Sequence, residues 1–158
     1  MRVINVEKKK SYRSGYTKKQ FTFLNVHGRK NFKSVVDKCK YNLEELEKNS
    51  VLFFSETWIT DKKKCIYTPF NANKDTFASN AVPAKNELGI AIGGRPSGGL
   101  EFVVGRGLGA KEITKSDNHL IISFSDTYVI GVYYQPSLDF EDLITDLIKA
   151  LEEVPKEY

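Results

Sequence analysis

The first third of the chain carries a hydrophobic pattern that predicts a strand, a helix and a second strand. Residues 20–25 alternate between polar and apolar positions and then become apolar, as strands do. From Phe32 to Lys48 the apolar residues recur at helical spacing, which predicts an amphipathic helix. Residues 51–55 are a short apolar run whose length fits a strand buried on both faces. This order predicts a right-handed crossover in a layered α/β or α+β domain.

The rest of the chain predicts further strands and one more helix. Segments with the length and composition of strands lie at residues 76–79, 88–92, 100–104, 119–124 and 128–134, the last two joined as a hairpin. Apolar residues from Phe140 to Val154 recur at helical spacing, and Asp139 is placed to cap this second amphipathic helix. We therefore expect an α+β fold with a mixed, mostly antiparallel sheet and two main helices.

Length and composition fit one folded domain. The chain has 158 residues, of which 41% are hydrophobic and 12% aromatic, which is enough for one core. No stretch approaches the roughly 18–20 continuous apolar residues that a membrane span needs, so we expect no membrane association. Cys39 and Cys65 are far apart and form no Cys-x-x-Cys pair, which predicts reduced thiols in an intracellular protein.

Charge is distributed unevenly along the chain. Residues 1–20 carry seven basic side chains and one acidic one, a net of +6, while residues 137–158 carry seven acidic and two basic ones, a net of −5. A basic lead-in over residues 1–19 suits a polyanion such as nucleic acid. On charge alone, however, a solvated, poorly ordered segment is the favoured interpretation.

Two polar side chains follow the first two predicted strands. Asn25 ends the first strand and Glu56 follows the second. If these strands are parallel neighbours, both side chains lie at the carboxyl edge of the sheet, where open sheets build their sites. A carboxylate there is a natural Mg²⁺ ligand. The alternative is that Asn25 makes a turn and Glu56 faces solvent.

Four short motifs in order resemble the endonuclease/exonuclease/phosphatase superfamily, closest to the apurinic-type endonuclease domain of non-LTR retrotransposons. They are Phe-Leu-Asn-Val-His-Gly at 23–28, Leu-Phe-Phe-Ser-Glu-Thr-Trp at 52–58, Arg-Pro-Ser-Gly-Gly-Leu at 95–100 and Gly-Val-Tyr-Tyr-Gln-Pro-Ser at 131–137. The resemblance implies a DNase I-like four-layer sandwich. Residues 20–158 would be its amino-terminal half, following the basic lead-in.

The same resemblance assigns roles to individual residues. Glu56 and Asn25 would hold the metal, Mg²⁺ or Mn²⁺, and would be catalytic together with Tyr134, which keeps the Tyr-x-Pro spacing. Strand alternation sends Tyr133 and Tyr134 to opposite faces, so only one of them can serve. The candidate substrate-binding residues in these motifs are His27, Arg95, Ser97 and Tyr133.

The family's Gly-Asp-x-Asn and Ser-Asp-His blocks have no counterpart in the chain. In the family these blocks supply the acid that activates water and a His–Asp pair. We therefore expect a fragment of a Mg²⁺-dependent DNA endonuclease, nearly inactive by itself and located inside the cell, with the nucleus as one candidate compartment. The alternatives are a non-catalytic nucleic-acid-binding relic and a phosphatase of the same superfamily. An exposed sheet face would then be covered by a complementary chain or by self-association.

Overall fold

The structure is a computed structural model that describes residues 2–5, 20–28, 31, 50–61 and 74–156. Within these ranges the chain forms an α+β fold with two β-sheets and one α-helix. The first sheet contains β1 Arg2–Asn5, β2 Gln20–Asn25, β3 Ser50–Ser55, β4 Lys74–Val82 and β5 Ser97–Gly105. Its strand order is β1-β2-β3-β5-β4, with β2 and β3 parallel and the other pairs antiparallel.

The second sheet has three antiparallel strands and is followed by the helix. It contains β6 Lys111–Lys115, β7 His119–Phe124 and β8 Thr127–Val132 in the order β6-β7-β8. A 3₁₀ turn at Arg106–Leu108 leads into it from β5. Helix α1 spans Phe140–Glu152 and begins where the Asp139 carboxylate accepts a hydrogen bond from the Glu141 N–H at 2.9 Å. Among the described helices, none is both long and apolar enough to cross a membrane.

The two sheets pack face to face through one apolar core. Alternate residues of each strand point inward, because successive side chains of a strand lie on opposite faces. The buried members of this core are Val51, Phe53, Leu100, Phe102 and Val104 from the first sheet and Leu120, Ile122 and Phe124 from the second. Helix α1 contacts the other side of β7, where Ile121 is fully buried.

Several predicted elements are confirmed. Strand β2 lies at the predicted residues, and β3 is buried along Val51–Ser55 as predicted. The β7–β8 hairpin and the capped helix α1 also form, although β8 ends at Val132 and not at Tyr134. The expected mixed, mostly antiparallel pairing is observed. The helix predicted from Phe32 to Lys48 lies outside the described residues.

The prediction of a strand at 88–92 is wrong. This segment lies in the middle of the loop between β4 and β5, and the loop contains a single isolated bridge between Lys85 and Ala91. The side-chain oxygen of Asn86 accepts hydrogen bonds from the N–H groups of Leu88 and Ile90, both at 3.0 Å. An Asn side chain that satisfies nearby backbone donors stabilises a turn in place of a strand ladder.

Besides β8, four strands differ from the sequence analysis in extent or were not anticipated, and one of them is β5, which was expected at 100–104 and spans Ser97–Gly105. The strand expected at 76–79 extends over nine residues as β4, and β6 had no sequence prediction. Residues Arg2–Asn5 belong to the lead-in that was expected to be poorly ordered, yet they form β1 on the free edge of β2. Pairing with β2 supplies these residues with backbone partners that no local pattern reveals.

Candidate active site

Asn25 and Glu56 meet at one edge of the first sheet. In the parallel register of β2 and β3, Asn25, the last residue of β2, lies opposite Ser55, and Glu56 directly follows Ser55, so both side chains lie at the same edge. The Asn25 side chain hydrogen-bonds to the Glu56 carboxylate, and its Oδ1 also accepts from the His27 N–H at 3.3 Å. The predicted proximity of the amide and the carboxylate is confirmed.

The Glu56 carboxylate is buried and held by polar side chains. The residue is only 8% exposed. The Tyr133 hydroxyl donates a hydrogen bond to Oε1, and His27 Nδ1 lies 2.6 Å from Oε2. Among the described residues, Oε2 has no hydrogen bond of good geometry beyond this ion-pair contact. The alternative that Glu56 is a solvent-facing strand end is therefore wrong.

The surroundings of Glu56 keep it ionised. Burial by itself raises its pKa, but hydrogen bonds from Tyr133 and Asn25 and the charge of His27 together outweigh burial, so the pKa is lowered from 4.5. The cluster formed by Glu56, Asn25, Tyr133 and His27 therefore presents a carboxylate anion at neutral pH.

Tyr133, and not Tyr134, faces Glu56. Both follow β8, and strand alternation sends Tyr133 to the inner face that Gly131 shares and Tyr134 to the opposite one. The Tyr134 hydroxyl instead donates to Asp146 Oδ2 at 3.2 Å, on helix α1. The assignment of Tyr134 to the catalytic cluster is corrected accordingly, because the Tyr-x-Pro spacing does not determine which face a ring occupies.

Burial raises the pKa of Tyr133 to about 12, and the hydrogen bond to Glu56 and the charge of that carboxylate act in the same direction, while Arg95 opposes them. Tyr133 is thus a neutral hydrogen-bond donor throughout the physiological range.

The backbone around Glu56 is unusual. Glu56, Trp58 and His27 all have a left-handed φ, between 45° and 56°, and they are three of the four non-glycine residues with positive φ in the described ranges. Hydrogen bonds hold this backbone in place: the Gly28 N–H donates to the Glu56 carbonyl at 2.8 Å, and the Trp58 N–H donates to the Gly98 carbonyl at 3.2 Å. Strained backbone that the surroundings hold in place is found preferentially at functional sites.

Trp58 is a site residue that the sequence analysis did not select. Its half-buried ring packs against Gly28, and the Arg95 guanidinium carbon lies over the ring, 4.4 Å from its centre. The signal was an aromatic residue two positions after Glu56 in the second motif. Arg95 is therefore held near Glu56 by its contact with the Trp58 ring. Ser97 begins β5 opposite Val82, and no described contact brings its side chain to Glu56.

Glu56 is the described residue that could hold a divalent cation. Its carboxylate is anionic, and the buried Oε2 atom lacks a well-directed donor. In the described ranges no group of three or more His, Cys, Asp or Glu side chains forms a metal cage. Mg²⁺ usually keeps several waters and binds through one or two carboxylates plus substrate phosphates, so a single carboxylate beside an amide fits this ion.

Comparison with family models, curated proteins and solved structures gives no match for this chain.

Proposed function

We propose that this chain is part of a Mg²⁺-dependent DNA endonuclease domain in which Glu56 is the metal-binding carboxylate. The observation that carries the proposal is the meeting of Glu56, Asn25, Tyr133 and His27 at one sheet edge. The four motifs that resemble the endonuclease/exonuclease/phosphatase superfamily predicted the first two members and offered Tyr133 and His27 as substrate-binding candidates.

The residues of the cluster have separate tasks in this proposal. Tyr133 and Asn25 donate hydrogen bonds that keep Glu56 ionised and fix the direction of its carboxylate. His27, which is largely exposed, is placed to contact a phosphate oxygen next to the carboxylate. A divalent ion bound at Glu56 would polarise the phosphate and stabilise the charge that develops on it.

The cluster of Glu56, Asn25, Tyr133 and His27 contains one carboxylate, and no group of three or more His, Cys, Asp or Glu side chains in the described ranges could hold a metal ion. Removal of a positioned general base typically lowers a rate by about 10²–10⁴-fold. We therefore propose that the chain alone has little or no nuclease activity. Robust, Glu56-dependent nicking of supercoiled plasmid in Mg²⁺ would contradict this expectation.

The free edge of β8 supports the proposal of an incomplete sandwich. Among the described strands β8 pairs only with β7, and an apolar cleft of about 470 Å³ opens between β8 and β2. Phe23, at the mouth of this cleft, is 39% exposed. A strand added to β8 would cover such a surface, so we propose that a complementary chain or a second copy binds there. Sedimentation at increasing concentration tests this, and a strictly monomeric, well-folded chain would argue against it.

The deciding experiment for the function is duplex binding measured with and without Mg²⁺. A carboxylate-held ion favours a phosphate ligand, so Mg²⁺ should tighten binding of a fluorescein-labelled duplex to the wild-type chain. Glu56→Gln should abolish this increase, while Glu152→Gln, an exposed control on α1, should retain it. If salt-dependent binding is the same in wild type and Glu56→Gln with no Mg²⁺ effect, the chain is a nucleic-acid-binding module instead. The observation that favours this second candidate is that no group of three or more His, Cys, Asp or Glu side chains in the described ranges could hold a metal ion.

A further inference from the structure

A second polar cluster lies between helix α1 and the end of the second sheet at which β8 terminates. Asp146 of α1 accepts a hydrogen bond from the Tyr134 hydroxyl at 3.2 Å, and the same oxygen lies 3.1 Å from His119 Nδ1. His119 Nδ1 is also 2.8 Å from Ser116 Oγ, in the turn between β6 and β7. His119 is only 4% exposed, and the Glu56 cluster uses none of these side chains. Their role therefore has to be found in what else they hold.

Hydrogen bonds lead from this cluster to the backbone of Tyr133. The Tyr133 N–H donates to the Asn118 carbonyl at 2.9 Å, and the Asn118 N–H donates to Ser116 Oγ at 3.1 Å. The contacts of Ser116 then return to the Tyr134 hydroxyl, which belongs to the residue directly after Tyr133. The result is a closed network, called here the His119 network, of Ser116, Asn118, His119, Asp146 and Tyr134.

The His119 network is fixed to the elements around it. The Ser79 hydroxyl of β4 donates to the Ser116 carbonyl, and the Ser116 N–H donates to the His119 carbonyl at 2.8 Å. Asp146 adds α1 to these strands. A buried polar network with several satisfied partners holds its members in one arrangement. The backbone where the chain leaves β8 is thus held from both of its sides.

We propose that His119 and Asp146 are positioning residues for the Glu56 cluster, because the His119 network holds Tyr133 where its hydroxyl reaches the Glu56 carboxylate. The inference rests on the proposed function. Tyr133 and Tyr134 are consecutive and point to opposite faces, so a backbone shift that releases Tyr134 also moves Tyr133. Groups that orient a metal-binding side chain from outside typically contribute about 10–100-fold to metal affinity.

The test follows the titration of the Glu56 side-chain carboxyl carbon by NMR in the full chain, with the signal assigned by its absence in Glu56→Gln. Tyr134→Phe removes only the hydroxyl that reaches Asp146, and Asp146→Asn removes the charge of the network. Burial raises the pKa of Glu56, and the Tyr133 hydrogen bond is the largest of the contacts that lower it. The pKa of Glu56 should therefore rise in both variants as that hydrogen bond weakens. Loss of a negative charge by itself would lower this pKa, so a rise in Asp146→Asn reports the lost hydrogen bond.

Matched controls remove the same groups outside the network. Tyr128→Phe lies on the same face of β8 as Tyr134, and Asp142→Asn is exposed one turn before Asp146 on α1. Neither control should raise the pKa of Glu56. His119→Asn keeps a donor near the position of Nδ1 and should titrate closer to wild type than His119→Ala. Circular dichroism verifies folding, and Tyr134→Phe, which changes the packed volume least, decides the test if another variant does not fold.

The same proteins are then tested for the effect of Mg²⁺ on duplex binding. The Mg²⁺ concentration that half-saturates the gain in duplex affinity should rise about tenfold in Tyr134→Phe and Asp146→Asn and stay unchanged in the controls. If both variants lose stability but keep the Glu56 titration and the Mg²⁺ requirement of the controls, the network is only structural. The inference is then refuted while the endonuclease proposal stands. If wild type shows no Mg²⁺ effect, the proposed function fails and the inference fails with it.

Discussion

Substitution of Gly131 by alanine should push the two sheets apart where Gly131 of β8 packs against Phe53 of β3. Gly131 lies on the inner face of β8, and a β-carbon built there would be 2.1 Å from Phe53 Cε2 and 2.6 Å from two further ring carbons. Ordinary van der Waals contact begins at 3.4 Å, so strand and ring must move apart by at least 1.3 Å. The Phe53 ring cannot swing away freely, because Phe102 lies 4.7 Å from it and Phe23 lies 5.5 Å from it, centre to centre.

Overpacking of this kind costs about 1–3 kcal/mol of unfolding free energy. For a domain of this size that corresponds to a fall in Tm of about 2–12 °C. The same displacement would move Tyr133, two residues later, away from Glu56. The tyrosine should then titrate closer to 10 than to the value of about 12 that it has in the wild type.

Thermal and urea unfolding followed by circular dichroism measure the first effect, and ultraviolet titration of tyrosine at alkaline pH measures the second. Gly107→Ala is the control, because a β-carbon at this exposed glycine meets no atom within 4 Å. If Gly131→Ala and Gly107→Ala unfold at the same urea concentration as wild type, the close approach of the sheets described above is incorrect.

Three further predictions concern the titratable groups. Because the pKa of Glu56 is lowered, its stabilising effect is present above the unfolded pKa, near 4.5, and is lost as pH falls through the folded pKa. In urea unfolding between pH 3 and pH 7, the free energy of unfolding should therefore fall more steeply toward acid pH for wild type than for Glu56→Gln. Parallel profiles would contradict the lowered pKa. The raised pKa of Tyr133 means that its stabilising effect is complete below pH 10 and disappears as pH rises toward about 12, and Tyr133→Phe should remove one late-titrating tyrosine from the ultraviolet curve. Asp146→Ala should lower the free energy of unfolding in urea by about 1–3 kcal/mol, because His119, only 4% exposed, loses a hydrogen-bond partner at 3.1 Å. Glu152→Ala on the same helix should leave the free energy of unfolding nearly unchanged.

The sequence predicted the part of the site that depends on strand ends. Parallel neighbours align their carboxyl ends, so the predicted strand order placed Asn25 and Glu56 at one edge on the condition that the two strands pair, and the β2–β3 pairing meets that condition. The β7–β8 hairpin and helix α1 were predictable for a similar reason, because alternation, helical spacing and the Asp139 cap are local signals.

Only the tertiary structure decided which tyrosine contacts Glu56 and that residues 88–92 form an exposed loop between β4 and β5. Tyr133 faces Glu56 because β8 lies across β3 with Gly131 against Phe53, a contact between strands far apart in the chain. Periodicity cannot report such a contact, since it fixes the alternation of side chains along a strand but not which face meets the other sheet. The apolar residues at 88–92 matched a buried strand by composition, but the Asn86 turn exposes them. Hydrophobic pattern records which side chains are apolar, whereas burial depends on what the completed fold places against them.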